Sequence, residues 1–264
     1  MNNFKNLFSL EDKKILVTGA SSGIGQAIAI WISRMGGQVA LLARSKEKLE
    51  KTFSLLEGCN HRIVPLDLLS QENEIEKTID SLVEETIDNL IQEWGPLHGM
   101  VHSAGLYVMS PLRSFRYEES EEIFKLNYNV FLLLSKFLVK KGKMLPQSSI
   151  VAISSVAGLK GNVALSLYGA SKAALISSIR SLALEYASKG IRFNSICPGW
   201  VDTPMLKSTR EKLGEELFEQ NIVSSHPLGL GTPNDIAYAA IYLLSDASRW
   251  VTGSSLIIDG GYSC

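Results

Sequence analysis

Short apolar runs alternate along the chain with longer segments in which apolar residues recur every three or four positions. Several of the short runs are apolar almost throughout, which is typical of parallel strands buried on both faces. The longer segments have the period of amphipathic helices. The predicted strands span residues 14–18, 38–43, 62–66, 99–103, 149–154, 191–197 and 255–258. This alternation predicts an α/β fold in which helices cover both faces of a parallel sheet.

The first helix has the clearest pattern. Its apolar residues at helical spacing are Ile24, Ala27, Ile28, Trp31 and Met35. We expect the helix to end at Gly36 and Gly37, because glycine tolerates left-handed backbone.

The chain of 264 residues contains no internal repeat, low-complexity tract or Pro/Gly-rich linker, so we expect one domain over residues 1–264. The stretch at 200–231 departs from the pattern because it is polar and interrupted. We expect it to form a helical substrate loop over the open end of the sheet, where ligands bind in such folds.

Charge and composition exclude several classes of function. Lys and Arg total 26 against 27 Asp and Glu, which leaves no basic excess for binding nucleic acid. No apolar run approaches the roughly 18 residues of a membrane span, and the N-terminal segment lacks the apolar stretch of a secretory signal. We therefore expect a cytoplasmic protein. The three cysteines and four histidines are scattered, so we expect no metal site.

A glycine-rich turn, T-G-A-S-S-G-I-G at 18–25, joins the first predicted strand to the first helix. Glycines permit a tight turn and close approach of a pyrophosphate, and the helix N-terminus offers free N–H groups to the anion. Such turns often only connect elements, but the flanking strand and helix supply the context that a dinucleotide site needs. The turn thus predicts a Rossmann-type, doubly wound fold with seven parallel strands. The predicted cofactor contacts here are Gly19, Ser21, Ser22, Gly23, Ile24 and Gly25.

Further motifs occur in a characteristic order: Asn127 in K-L-N-Y-N, Ser155 in I-S-S-V-A-G, Y-G-A-S-K at 168–172, P-G-W-V-D-T at 198–203 and the ending V-T-G-S-S-L-I-I-D-G-G. With the glycine turn, they make the chain resemble the short-chain dehydrogenase/reductase family over about residues 10–262. It is also similar to 3-oxoacyl-[acyl-carrier-protein] reductases.

The resemblance implies four catalytic residues. Tyr168 would be the acid/base, and Lys172, four residues later on the same helix face, would lower the tyrosine pKa from its ordinary value near 10 and hold the nicotinamide ribose. Ser155 would hydrogen-bond the substrate oxygen, and Asn127 would position a water in a proton relay. Singly, these residues could be a half-buried aromatic, a solvated charge, a cap and a turn residue. Ser154 is the competitor for Ser155, and the spacing to Tyr168 favours Ser155.

Cofactor choice is decided after the second strand, where NAD-preferring relatives carry an Asp. This chain has Ala43 and then Arg44, whose guanidinium suits a 2′-phosphate, so NADP(H) is preferred and NAD(H) is the alternative. Ser22 stands where many NADP-dependent relatives have a second basic residue. Asp67 would bond the adenine amino group or cap a helix beginning near Ser70. The remaining implied cofactor contacts are Leu68, Ala104, Gly105, Tyr168, Lys172, Pro198, Gly199, Val201 and Thr203.

One motif departs from the family. His102-Ser103-Ala104-Gly105 replaces the common N-N-A-G, which puts the tie between neighbouring strands in doubt more than the function. The implied function is NADP(H)-dependent interconversion of a carbonyl and a secondary alcohol. The substrate stays open among 3-oxoacyl thioesters, sugars or polyols, and small ketones. A dinucleotide-binding sensor without turnover is the alternative of a different class.

Relatives commonly form homotetramers, and the pattern of one helix agrees. The helix predicted at about 121–140 is apolar around more of its circumference than one core-facing stripe needs. Its apolar residues are Ile123, Phe124, Leu126, Tyr128, Val130, Phe131, Leu132, Leu133, Leu134, Phe137 and Leu138. We expect a symmetric copy of the same helix to cover the surplus face, the alternatives being the 200–231 loop or the chain's own sheet.

Overall fold

The computed structural model describes residues 6–69 and 78–264. Within these ranges, seven strands form one parallel sheet in the order β3-β2-β1-β4-β5-β6-β7. The strands are β1 (Lys14–Thr18), β2 (Gln38–Ala43), β3 (Arg62–Pro65), β4 (Leu97–His102), β5 (Met144–Ile153), β6 (Arg192–Pro198) and β7 (Ser255–Ile258). The predicted doubly wound, seven-stranded parallel sheet is confirmed.

Helices cover both faces of the sheet. In the described part of the chain they are α1 (Gly23–Arg34), α2 (Lys46–Phe53), α3 (Ile79–Trp94), α4 (Tyr117–Phe124), α5 (Val130–Leu138), α6 (Ser166–Tyr186), α7 (Pro204–Leu213), α8 (Glu215–Phe218) and α9 (Pro233–Leu244). One core cluster packs α1 and α9 on the sheet, and a second packs α3, α5 and α6 on the opposite face. Alternate side chains of the strands point into the two clusters, which is why the strands read as continuous apolar runs.

The strand order reverses between β1 and β4. Because β1 pairs with β2 on one side and with β4 on the other, the helices that follow β1 and β4 lie on opposite faces. A crevice therefore opens at the carboxyl ends of these two strands, which is the usual ligand site of a doubly wound sheet.

The strand boundaries differ most from the predicted ones at β5. This strand begins at Met144, five residues before the predicted start, and its register against β4 shifts between Leu97 and Gly99. Its first two residues are only partly buried, and the next two, Pro146 and Gln147, are exposed, the latter at φ 64°. No apolar run marks such an irregular segment, so the pattern could not reveal it.

The predicted loop at 200–231 contains α7, α8 and a π-helical turn at Glu219–Val223. Leu206, Phe218 and Ile222 form a small apolar cluster of their own within it. His226 ties the loop to the site, because its Nε2 accepts a hydrogen bond from the backbone N–H of Trp200 at 3.2 Å and its ring stacks on Tyr262.

The helix predicted at 121–140 begins earlier, at Tyr117, and is interrupted. A π-helical turn at Lys125–Asn129 separates α4 from α5 and contains Asn127. Such turns occur often at functional sites, because the extra residue redirects the side chains of one turn.

Candidate active site

A cleft of about 390 Å³ lies at the carboxyl edge of the sheet. All the predicted cofactor contacts line it, as do Ser155, Tyr168 and Lys172. The lining residues from the predicted set are Gly19, Ser21, Ser22, Gly23, Ile24, Gly25, Arg44, Asp67, Leu68, Ala104, Gly105, Ser155, Tyr168, Lys172, Pro198, Gly199, Val201 and Thr203. Asn127 lies behind the cleft wall and is fully buried.

The glycine turn under the cleft has the close packing that the sequence predicted. A Cβ on Gly19, at φ 66°, would lie 2.8 Å from the backbone nitrogen of Ala104, and a Cβ on Gly25 would collide with the Gly19 carbonyl oxygen. Ser22 is the N-cap of α1, yet its side chain makes no capping hydrogen bond. The first N–H groups of α1 are therefore free of a side-chain cap and are available to an anion in the cleft.

Thr18 joins β1 to β4 at the floor of the crevice. Its hydroxyl accepts hydrogen bonds from the N–H groups of Ser103 and Ala104, both at 3.1 Å, and contacts His102 Nδ1 at 3.1 Å. Since the hydroxyl proton is then directed to Nδ1, the ring proton resides on Nε2. Burial and the nearby Lys172 lower the His102 pKa to about 3, so the imidazole is neutral. His102 thus supplies a strand-to-strand tie although the usual asparagines are absent.

Tyr168 and Lys172 occupy successive turns of α6. The Lys172 side chain is only 5% exposed, and its ammonium donates a hydrogen bond to the Ile153 carbonyl at 2.9 Å. Nζ lies 5.8 Å from the centroid of the Tyr168 ring. The ammonium has three N–H donors, so further donors can serve a ligand in the cleft.

The Tyr168 pKa differs from the expectation that Lys172 alone would lower it. Burial raises the pKa of Tyr168 to about 12, while a hydrogen bond with Ser155 acts in the lowering direction. Burial also lowers the pKa of Lys172 to about 8. Desolvation of the phenolate is the largest effect on Tyr168, so at neutral pH the phenol is protonated and the lysine is mostly charged.

The two serines after β5 have different surroundings. Ser154 donates to the Lys172 carbonyl at 2.8 Å and so braces α6. The Ser155 hydroxyl caps the following turn by accepting from Ala157 N–H at 3.1 Å, and its hydrogen bond with Tyr168 places it at the cleft. The cap interpretation and the site interpretation of Ser155 are therefore compatible.

The Asn127 amide holds the loop that follows β4. Its Oδ1 accepts from Leu106 N–H at 2.7 Å, and its Nδ2 donates to the Leu106 carbonyl and to Ser171 Oγ, both at 3.0 Å. Ser171 in turn donates to the Tyr168 carbonyl at 2.7 Å. Asn127 thereby connects the loop to the Tyr168 helix, and its predicted role in a water relay stays a prediction.

The opposite end of the cleft carries Arg44 and Asp67, at the ends of β2 and β3. Arg44 is exposed and has no hydrogen bond or ion pair with any residue in the described ranges. Asp67 accepts a hydrogen bond from Leu69 N–H at 3.0 Å. The helix predicted near Ser70 lies outside the described residues.

Several lining residues were not among the predicted site residues. Tyr107 follows Gly105 by two residues, and Trp200 stands at the start of the predicted 200–231 substrate loop. Asn162 and Tyr262 also line the cleft, and Tyr262 belongs to the tail after β7. Their approach depends on tertiary packing, so no local spacing could have indicated them.

Comparisons with known proteins agree with this geometry. A family model described as enoyl-(acyl carrier protein) reductase matches residues 19–263. The chain is 32% identical over 258 residues to the 3-oxoacyl-[acyl-carrier-protein] reductase of Thermotoga maritima, covering 96% of this chain and 98% of that protein. It is 35% identical over 255 residues to the enzyme of the same name from Mus musculus, covering 95% and 98%.

Solved structures match over almost the whole chain. A glucose/ribitol dehydrogenase of the short-chain dehydrogenase/reductase type from Brucella melitensis has a TM-score of 0.84 at 28% identity, covering 97% of this chain and 99% of that one. A putative 2-deoxy-d-gluconate 3-dehydrogenase from Agrobacterium tumefaciens, solved with bound NADP, has a TM-score of 0.82 at 28% identity, covering 98% and 99%.

The doubly wound sheet and the glycine turn under its crevice define an α/β dinucleotide-binding protein. The chain belongs to the short-chain dehydrogenase/reductase family, whose members are NAD(P)-binding oxidoreductases. In the described ranges no helix is both long and apolar enough to cross a membrane. The cytoplasmic location stays a prediction.

Proposed function

We propose that this protein is an NADP(H)-dependent reductase that converts a carbonyl group to a secondary alcohol, with Tyr168 as the proton donor. The observation that carries the proposal is the position of the Tyr168 phenol in the cleft, beside Ser155 and the buried ammonium of Lys172. Because burial raises the Tyr168 pKa to about 12, the phenol carries its proton at neutral pH and can serve as the donor in a reduction. The whole chain would act as one domain.

The residues of the cleft can perform the proton half of this reaction. The Ser155 hydroxyl and the Tyr168 phenol would hydrogen-bond the carbonyl oxygen and stabilise the negative charge that develops there. Tyr168 then gives its proton to that oxygen, and the ammonium of Lys172 stabilises the resulting phenolate until a proton returns from solvent. In sum, one carbonyl compound, one hydride and one proton yield one alcohol.

The chain's residues fit a bound dinucleotide. The uncapped N-terminus of α1 would bind the pyrophosphate, and the buried donors of Lys172 would bind the nicotinamide ribose hydroxyls. Arg44, which has no described partner, would bind a 2′-phosphate. When bound, NADPH supplies the hydride.

Replacement of the phenol tests the proton donor. Tyr168→Phe should abolish NADPH oxidation across a panel of carbonyl compounds while NADPH affinity changes little, because only the proton donor is lost. Turnover is measured as the rate of NADPH oxidation, and NADPH affinity is measured by fluorescence titration. Tyr238→Phe, on the surface of α9, is the matched control and should keep full activity.

A Phe variant that retains the wild-type rate would contradict the role of Tyr168. If the wild-type protein binds NADPH tightly yet reduces no compound in a broad panel, the dinucleotide sensor becomes the better account.

Charge reversal at Arg44 tests the cofactor preference. Arg44→Asp should weaken NADPH binding at least about ten-fold, about 1.4 kcal/mol, and leave NADH binding unchanged or improved, because only NADPH carries the 2′-phosphate. Lys46→Asp changes the net charge equally but lies outside the cleft, so it should spare both cofactors. Equal losses for NADPH and NADH in Arg44→Asp would refute the preference.

We also propose a homotetramer. The chain's own core buries much of the apolar surface of α5, but a set of apolar side chains on the α4–α5 segment stays only half-buried. Its residues are Phe124, Leu126, Tyr128, Leu132 and Leu133. Leu184 on the neighbouring α6 is 85% exposed, and one side of β7 has no strand partner among residues 6–69 and 78–264. A second copy that pairs these helices would bury this surface.

Light scattering on the purified protein at micromolar concentration should give the mass of four chains. Leu184→Glu should shift the mass towards smaller assemblies, because a carboxylate would enter the helix interface, whereas Leu55→Glu, exposed near α2, should not. A one-chain mass for the wild-type protein would contradict the proposal.

A further inference from the structure

The Tyr107 hydroxyl lies buried in the wall of the cleft. Its oxygen has no hydrogen-bond partner within residues 6–69 and 78–264, although a buried hydroxyl without one is costly. Burial raises the pKa of Tyr107 well above its ordinary value, so the group is a proton donor at neutral pH. A hydroxyl of this kind in the lining of a cleft is a candidate for binding a ligand.

The neighbouring phenols do not share this property. Tyr168 has its hydrogen bond with Ser155, and Tyr262 donates to Asn162 Oδ1 at 2.5 Å. All three tyrosines line the cleft, and the rings of Tyr107 and Tyr168 are in contact. Of the three hydroxyls, that of Tyr107 has no hydrogen-bond acceptor among the residues that the structure describes.

The ring of Tyr107 is held in place. It forms T-shaped contacts with the Tyr168 ring at 5.1 Å between centroids and with the Trp200 ring at 5.6 Å. The residue before it, Leu106, is fixed through both backbone groups by Asn127. The backbone of Trp200 is bonded to His226. Since both sides of the ring are supported, the position of its hydroxyl relative to Tyr168 is defined before any ligand binds.

The surroundings also limit the charge of the ligand. Arg44, Asp67 and Lys172 are the charged residues among those that line the cleft, and the first two follow β2 and β3 at its other end. Among the lining residues, Lys172 is therefore the remaining charge near Tyr107, and the proposed function assigns its free donors to the cofactor ribose. A carboxylate or phosphate on the substrate would find no counter-ion of its own among these residues.

We propose that Tyr107 is a substrate-binding residue, whose hydroxyl donates a hydrogen bond to a second oxygen of a neutral carbonyl substrate, near the carbonyl that Tyr168 protonates. The apolar body of such a substrate rests against Trp200, whose ring forms the adjacent wall. The protein therefore selects ketones that carry an acceptor oxygen close to the reacting carbonyl over plain ketones of the same shape. The proposal rests on the carbonyl chemistry proposed above.

A matched pair of ketones tests this selection. Methyl phenyl diketone and phenylacetone have the same carbon skeleton and differ in one carbonyl oxygen on the benzylic carbon. Reduction is measured as kcat/KM with NADPH, and binding by calorimetry with the oxidised cofactor present, so that no turnover occurs. Tyr107→Phe should reduce kcat/KM and affinity for the diketone about 3- to 10-fold, as expected for one neutral hydrogen bond, and leave phenylacetone unchanged.

Two further readouts separate a binding role from a structural one. The thermal midpoint of Tyr107→Phe should not fall, because the lost hydroxyl has no described partner, and NADPH affinity should stay the same. Tyr238→Phe should leave all four measurements unchanged. Equal effects on both ketones, weaker NADPH binding or a lower midpoint in Tyr107→Phe would each overturn the proposal.

Failure of the proposed reductase function gives a different result. In that case neither ketone is reduced, and calorimetry still decides the matter. A binding preference for the diketone that disappears in Tyr107→Phe supports the role of Tyr107, and no such preference refutes it.

Discussion

The burial of the Lys172 ammonium is the constraint on which the site depends. The side chain must reach the Ile153 carbonyl at the end of β5, so α6 has to lie very close to the turn after that strand. Gly158 and Gly169 allow this approach. A Cβ on Gly158 would lie 2.8 Å from the backbone nitrogen of Ala173, and a Cβ on Gly169 would lie 2.6 Å from the Ala157 carbonyl oxygen. The contact that places Lys172 also places Tyr168 beside Ser155.

The buried Lys172 ammonium and the Tyr168 phenol do not stabilise the folded protein, and the rest of the fold offsets their cost. A charged lysine in a dry interior is unfavourable, and a phenol whose pKa is raised gives up its proton less readily. The core clusters on both faces of the sheet and the Thr18 bonds between β1 and β4 hold the crevice in shape regardless. Stability and chemistry thus reside in different parts of the same sheet, as is common for enzymes of this architecture.

The elements with strong periodicity were predictable from the sequence, and the long-range contacts were not. The alternation of strands and helices sufficed for the sheet, and the glycine turn with Tyr168 and Lys172 sufficed for the location of the site. The irregular start of β5 carries no apolar pattern, and the Asn127 contact with Leu106 joins residues 21 apart. The net rise of the Tyr168 pKa could not be predicted, because the sequence shows the charge of a neighbour but not the extent of desolvation.

The claim that burial disfavours the charged form of Lys172 is tested most directly by the pH dependence of the free energy of unfolding. The folded protein releases the Lys172 proton near pH 8, whereas the unfolded chain keeps it until about 10.5. Between these values the unfolded state binds more protons, so stability rises with pH, and the cost of the buried charge is fully present below pH 8. The free energy of unfolding of the wild-type protein minus that of Lys172→Met, without cofactor, should therefore increase by up to about 1.4 kcal/mol per pH unit across this window. A difference that does not change with pH would contradict the account.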